Sequence, residues 1–72
     1  MPIPTRTRLD TWCREHGVRR ADLALRIGCS LSTVSYLLIG RRLPGWRLAL
    51  RIEAETGIPI AYWASVERRR AA

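Results

Sequence analysis

Apolar residues recur at helical spacing in short blocks along the chain, and glycine or proline separates the blocks. Leu9, Trp12 and Cys13 stand at i, i+3 and i+4, which predicts a first helix over about Thr7–His16. Thr7 with Asp10 three residues later reads as a capping box with a short acid, and Gly17 as the left-handed stop. Leu23, Ala24 and Ile27 mark one face of a second helix, about Ala21–Ile27, ended by Gly28. Val34, Leu37 and Leu38 mark a third, about Leu31–Ile39, with Ser30 as its N-cap and Gly40 as its stop. Trp46, Ala49, Ile52 and Thr56 form the stripe of a fourth, about Trp46–Thr56, with Leu48 nearby, Leu50 off the stripe and Gly57 at the end. Ile58–Val66 is apolar, and Pro59 suits the first turn of a fifth helix. No stretch alternates with period two. The expected fold class is all-α, a small bundle of about five short helices.

Helices two and three, joined by the tight Gly28-Cys29-Ser30 turn, have the outline of a helix-turn-helix, whose second helix enters the DNA major groove. The outer side of helix three supports that outline. It carries Ser32 and Tyr36, flanked by Thr33, Ser35 and Ile39. A solvated helix face favours Glu, Lys or Arg; short hydroxyls let a helix sit close to base edges and sugar-phosphate. Leu31 is placed to meet a thymine methyl. The bland alternative is an exposed face that merely lacks charge.

Charge sharpens the picture. The 72 residues carry thirteen basic side chains, all arginine, against six acidic ones, a net charge of +7. A GC-rich genome accounts for arginine in place of lysine, but not for the excess of positive charge, which fits a polyanion. Arg19 and Arg20 sit at the positive end of helix two, where a docked phosphate would favour them; otherwise they are solvated surface residues. Arg41 and Arg42 follow helix three in a loop that can rest on a phosphate backbone. Arg47 is a candidate for a minor-groove or phosphate contact. Arg51 and Glu55, at i and i+4, read as an ordinary helix salt bridge.

Other chemistry is excluded or unsupported. Cys13 and Cys29 are far apart, and with a single His the chain has no four-ligand zinc set, so no metal or cofactor is expected. Both cysteines read as buried free thiols of a reducing cytosol. His16 suits the negative end of helix one and has no catalytic partner. There are no carboxylates at catalytic spacing, no phosphate-loop glycines and no nucleophile motif, so an enzyme is not expected. No apolar run approaches the ~20 residues of a membrane span, and no signal peptide is present, so a soluble, cytoplasmic protein is expected.

The chain reads as one domain. Residues 1–6 form an N-terminal arm that either reaches along DNA, with Arg6 and Arg8 following it, or is a loose start. Residues 7–67 form the folded unit, and residues 68–72 a basic tail carrying Arg68, Arg69 and Arg70. Tyr62 and Trp63 exceed what so small a core must hide. Some of this segment can complete the core; the remainder, drawn from Tyr62, Trp63, Ile58, Ile60 and Val66, is expected to form a self-complementary patch, most simply a twofold homodimer contact, or else a surface for a different protein partner.

With these residues in view, the chain resembles the Cro/CI-type helix-turn-helix regulators of phages and bacteria, from about Leu9 to Trp63. The resemblance is carried by Leu23-Ala24, Gly28, Ser30, the Ser32-Thr33-Val34-Ser35 run, Gly40 and Pro44, with TGIPIAYW resembling the family's way into its last helix. It implies a lambda-repressor-like fold and a bacterial or phage-encoded regulator that binds palindromic operators in double-stranded DNA as a dimer and represses. It assigns base reading to Leu31, Ser32 and Tyr36, with Ser35 beside them. Phosphate contact falls to Arg20 and the Arg41-Arg42 loop, with Arg19, Ser30 and Thr33 adjacent. The chain departs from the family at Arg19, where a Ser or Thr cap is usual, at Leu38 and Ile39, which are often polar, and at Glu53 and Thr56, where Ala and Leu are often buried. An antitoxin-like branch of the same family, with the C-terminal aromatics holding a partner, is the alternative. The reading face has no Arg, Gln or Asn, so site choice is expected to lean on DNA shape as well as on base contacts.

Overall fold

The computed structural model describes residues 6–71, without the side chains of the last two. Among these residues there are five helices and no strand: α1 Arg8–His16, α2 Arg20–Ile27, α3 Leu31–Leu38, α4 Trp46–Thr56 and α5 Ala61–Ala71. The expected all-α architecture is met, and the helix limits agree with the sequence pattern to within a residue or two, except at α5. Residues 1–5 of the expected arm lie outside the described residues.

The core is drawn from all five helices. Leu9, Leu23, Ile27, Val34, Leu37 and Ile52 are its largest fully buried side chains. The most extensive helix–helix packing is between α2 and α3, followed by α2 with α4. Small residues make that approach possible: Ala24 on α2 and Ala49 on α4 are both buried. Gly28 closes α2 with φ +71°, and its amide bonds back to the Ala24 carbonyl. The backbone angle calls for glycine; a Cβ there would also stand 2.6 Å from Nη1 of Arg51, which would have to move aside.

Several long-range bonds were not legible in the sequence. Thr7 is the N-cap of α1, but its side chain makes no cap bond, so the expected capping box does not form. The Thr7 hydroxyl reaches the Leu37 and Leu38 carbonyls at 3.0 and 3.3 Å, and its amide donates to the Leu38 carbonyl at 2.9 Å. It thus satisfies acceptors that the end of α3 leaves open. Asp10, freed from capping, pairs with Arg6 at 3.1 Å and Arg14 at 3.2 Å. On α4 the expected Arg51–Glu55 pair is replaced by contacts to α2: Arg51 Nη1 donates to the Ile27 carbonyl at 3.4 Å, and Glu55 meets Arg26 at 3.7 Å. Trp46, expected on the core stripe, is 67% exposed, because it opens α4 beyond the edge of the core; Leu48 packs in its place.

The C-terminal segment corrects the sequence reading most. Ile58, Trp63 and Val66 are buried in the core, and Tyr62 packs half-buried against it, so these residues do not form the expected exposed patch. Only Ile60 of the five is exposed. Tyr62 has a definite role instead: its hydroxyl accepts the Arg8 amide at 2.9 Å and so caps α1, while the Arg8 guanidinium lies over its ring. Pro59 and Ile60 form a tight turn before α5, with the Tyr62 amide bonded to the Pro59 carbonyl. The helix then runs through the residues expected as a tail, to Ala71. Ala, Glu and Arg are all strong helix formers, and cations suit a helix C-terminus.

Candidate nucleic-acid interface

Helix α3 is positioned from both ends. At its start Ser30 accepts the Thr33 amide at 3.1 Å, as expected of an N-cap, and the two hydroxyls lie 2.9 Å apart. Ser30 and Thr33 therefore do structural work first, whatever else they touch. At its end Thr7 holds the last carbonyls, and the Arg41 amide donates to the Tyr36 carbonyl at 3.0 Å. Inward, Val34, Leu37 and Leu38 anchor the helix in the core. The side turned to solvent presents Leu31 (52% exposed), Ser32 and Tyr36 (46% exposed), with Ser35 half-buried beside them.

The arginines expected around this face are exposed. Arg19 and Arg20 stand at the start of α2, and Arg41 and Arg42 in the loop after α3. Among the described residues, the ion pairs use Arg6, Arg14 and Arg26, so the four arginines flanking α3 carry no carboxylate partner. Arg47 is also exposed, with its guanidinium 5.4 Å from the Trp46 ring centroid. Such a contact favours a cation over an aromatic face and leaves the guanidinium edge open. Arg20 is not a free-standing charge: its Nη1 donates to Ser35 Oγ on α3 at 3.5 Å, which draws it across the α2–α3 junction.

Between α1, the connection to α2, and α3 lies an open groove of about 810 Å³. Arg14, Arg19 and Arg20 wall it on one side, and Leu31, Ser35 and Ile39 on the other. It joins the cationic start of α2 to the hydroxyl face of α3. Arg14 belongs to this site, and the sequence reading missed it. The Arg6-Asp10-Arg14 spacing of four was the available signal, since it places all three on one strip of the chain.

Among the described residues no three His, Cys, Asp or Glu side chains are grouped to hold a metal, and no helix is long and apolar enough to cross a membrane. His16 stacks on Trp12, with ring centroids 4.4 Å apart, and its Nδ1 is bonded to the Trp12 carbonyl at 2.9 Å, a local helix-end role. Burial pushes the Cys13 thiol up; Asp10 adds to that shift and Arg26 opposes it. Burial alone raises Cys29. Both are free thiols held protonated, the opposite of an activated nucleophile. Set against known proteins, the chain matches no family model, no curated relative and no solved structure.

Proposed function

We propose that the protein is a sequence-specific, double-stranded DNA-binding regulator of the Cro/CI type, with a lambda-repressor-like helix-turn-helix formed by α2 and α3, that represses by occupying an operator. The observation that carries this reading is the exposed hydroxyl and leucine face of α3 with, at both ends, arginines that have no carboxylate partner among the described residues: Arg19 and Arg20 before it, Arg41 and Arg42 after it. Cations at the two ends would bind the phosphates bordering a major groove, and short side chains between them would let α3 approach the base edges. The longest dimension of the chain is 32 Å, so one copy spans about one helical turn of duplex and presents one α3. A palindromic operator then needs two copies, with their α3 helices about 34 Å apart. The exposed apolar residues available for such a contact, or for a different protein partner, are Leu25, Trp46, Leu50 and Ile60.

Duplex binding by the Arg41→Ala/Arg42→Ala double variant tests the reading. Each lost phosphate contact flattens the log–log salt slope by about 0.9, so the double variant, which loses two contacts in each of two copies, should bind every duplex more weakly with a slope flatter by about 3.6. Unchanged affinity and slope would remove the loop from the interface.

A further inference from the structure

The exposed face of α3 holds no side chain able to make a bidentate base contact, yet one reaches it from outside. Arg20 belongs to the first turn of α2, and its Nη1 lies 3.5 Å from Ser35 Oγ, midway along α3 and one turn beyond Leu31. A guanidinium has five N–H donors. The bond to Ser35 uses one, and the others remain available in the groove that Arg20 lines together with Leu31 and Ser35. No carboxylate among the described residues pairs with Arg20. Groups at the edges of a helix lying in the major groove meet phosphates; groups level with its exposed middle meet base edges. Arg19, Arg41 and Arg42 are at the edges. Arg20, bonded to Ser35, stands midway along the length of α3, at the groove side of its exposed face.

Resting on the DNA-binding reading, we propose that Arg20 selects a guanine in the operator through its O6 and N7 acceptors, and that Ser35 is the positioning residue that holds the guanidinium over α3. The chain then supplies from α2 the planar fork that α3 lacks. This takes Arg20 out of the phosphate-binding set given above and leaves Arg19, Arg41 and Arg42 in it. Ser35 orients the fork and touches no base itself.

The test selects a preferred duplex from a random library with the unaltered protein. Binding is then measured on that duplex, on copies in which each guanine in turn is 7-deazaguanine, and on a scrambled duplex, for the unaltered protein, Arg20→Lys, Arg20→Ala and Ser35→Ala. In the unaltered protein 7-deazaguanine at one position of each half-site should cost about tenfold, because it removes the N7 acceptor of the bidentate pair and leaves O6. Arg20→Lys keeps the charge but not the fork, so it should lose that sensitivity while its salt slope and its affinity for the scrambled duplex hold. Ser35→Ala should weaken the same sensitivity and leave the salt slope unchanged. If Arg20→Lys instead keeps the preference, while Arg20→Ala weakens preferred and scrambled duplexes equally and flattens the slope by about 1.8, one contact in each of two copies, Arg20 is a phosphate contact and the proposal falls, with the DNA-binding reading intact. If the unaltered protein prefers no duplex over the scrambled one, both fall.

Discussion

The hydroxyl of Thr7, the residue that opens α1, donates to the carbonyl of Leu37 near the end of α3, thirty residues away, at 3.0 Å. One side chain thus joins the start of the first helix to the end of the helix proposed to read DNA. With Tyr62 capping the Arg8 amide, it makes the N-terminus of α1 the point where α1, α3 and α5 are tied together. Thr7→Val keeps the shape and removes the donor from a buried site, so it should destabilise the fold by about 1–2 kcal/mol in urea denaturation. Thr7→Ser keeps the donor and should cost less. Equal losses in the two variants would show that packing, and not the hydroxyl, matters.

Gly28 and Arg51 are coupled across the α2–α4 contact. Gly28→Ala places a side chain at φ +71° and 2.6 Å from Arg51 Nη1, so it should cost about 1–2 kcal/mol from the backbone angle, plus the displacement of Arg51 from the Ile27 carbonyl. In an Arg51→Ala background the second part is already gone. The loss on Gly28→Ala should be smaller there, and a double-mutant cycle that came out additive would contradict the coupling.

The thiols set an alkaline limit to stability. Burial raises both above the ordinary thiol value, so the unfolded chain loses these protons at lower pH than the folded one. The contribution is fully present below the unfolded thiol pKa and is lost as pH rises through the folded values. Urea midpoints should therefore fall as pH rises past the ordinary thiol value of about 8.5, and the fall should be shallower in Cys13→Ala/Cys29→Ala. The same slope in both proteins would place the titrating groups elsewhere.

Apolar spacing located the helices because it reports directly which face is buried. Leu9, Ile27, Val34, Leu37 and Ile52, read as core positions from that spacing, are fully buried. Spacing does not report how far along a helix its neighbours extend. Trp46 has the phase of a core residue but lies past the end of the contact, while Ile58, Trp63 and Val66, assigned to a contact patch, are buried in the core. Long polar side chains were the least legible. Asp10, Arg51 and Glu55 each had a plausible partner on their own helix or cap, and two of the three bond to α2 instead. The hydroxyl face of α3 and its flanking arginines were legible, since both follow from residue type and helical phase. The reach of Arg20 to Ser35 was not, because it depends on how α2 crosses α3.

The central claim, that α3 and its arginines engage DNA, is tested most directly by the salt dependence of binding to a duplex selected from genomic fragments. Two copies neutralising roughly eight phosphates predict a log–log slope near about −7, together with a clear preference for the selected fragment over random duplex. A flat salt response, or equal binding to every fragment, would contradict it.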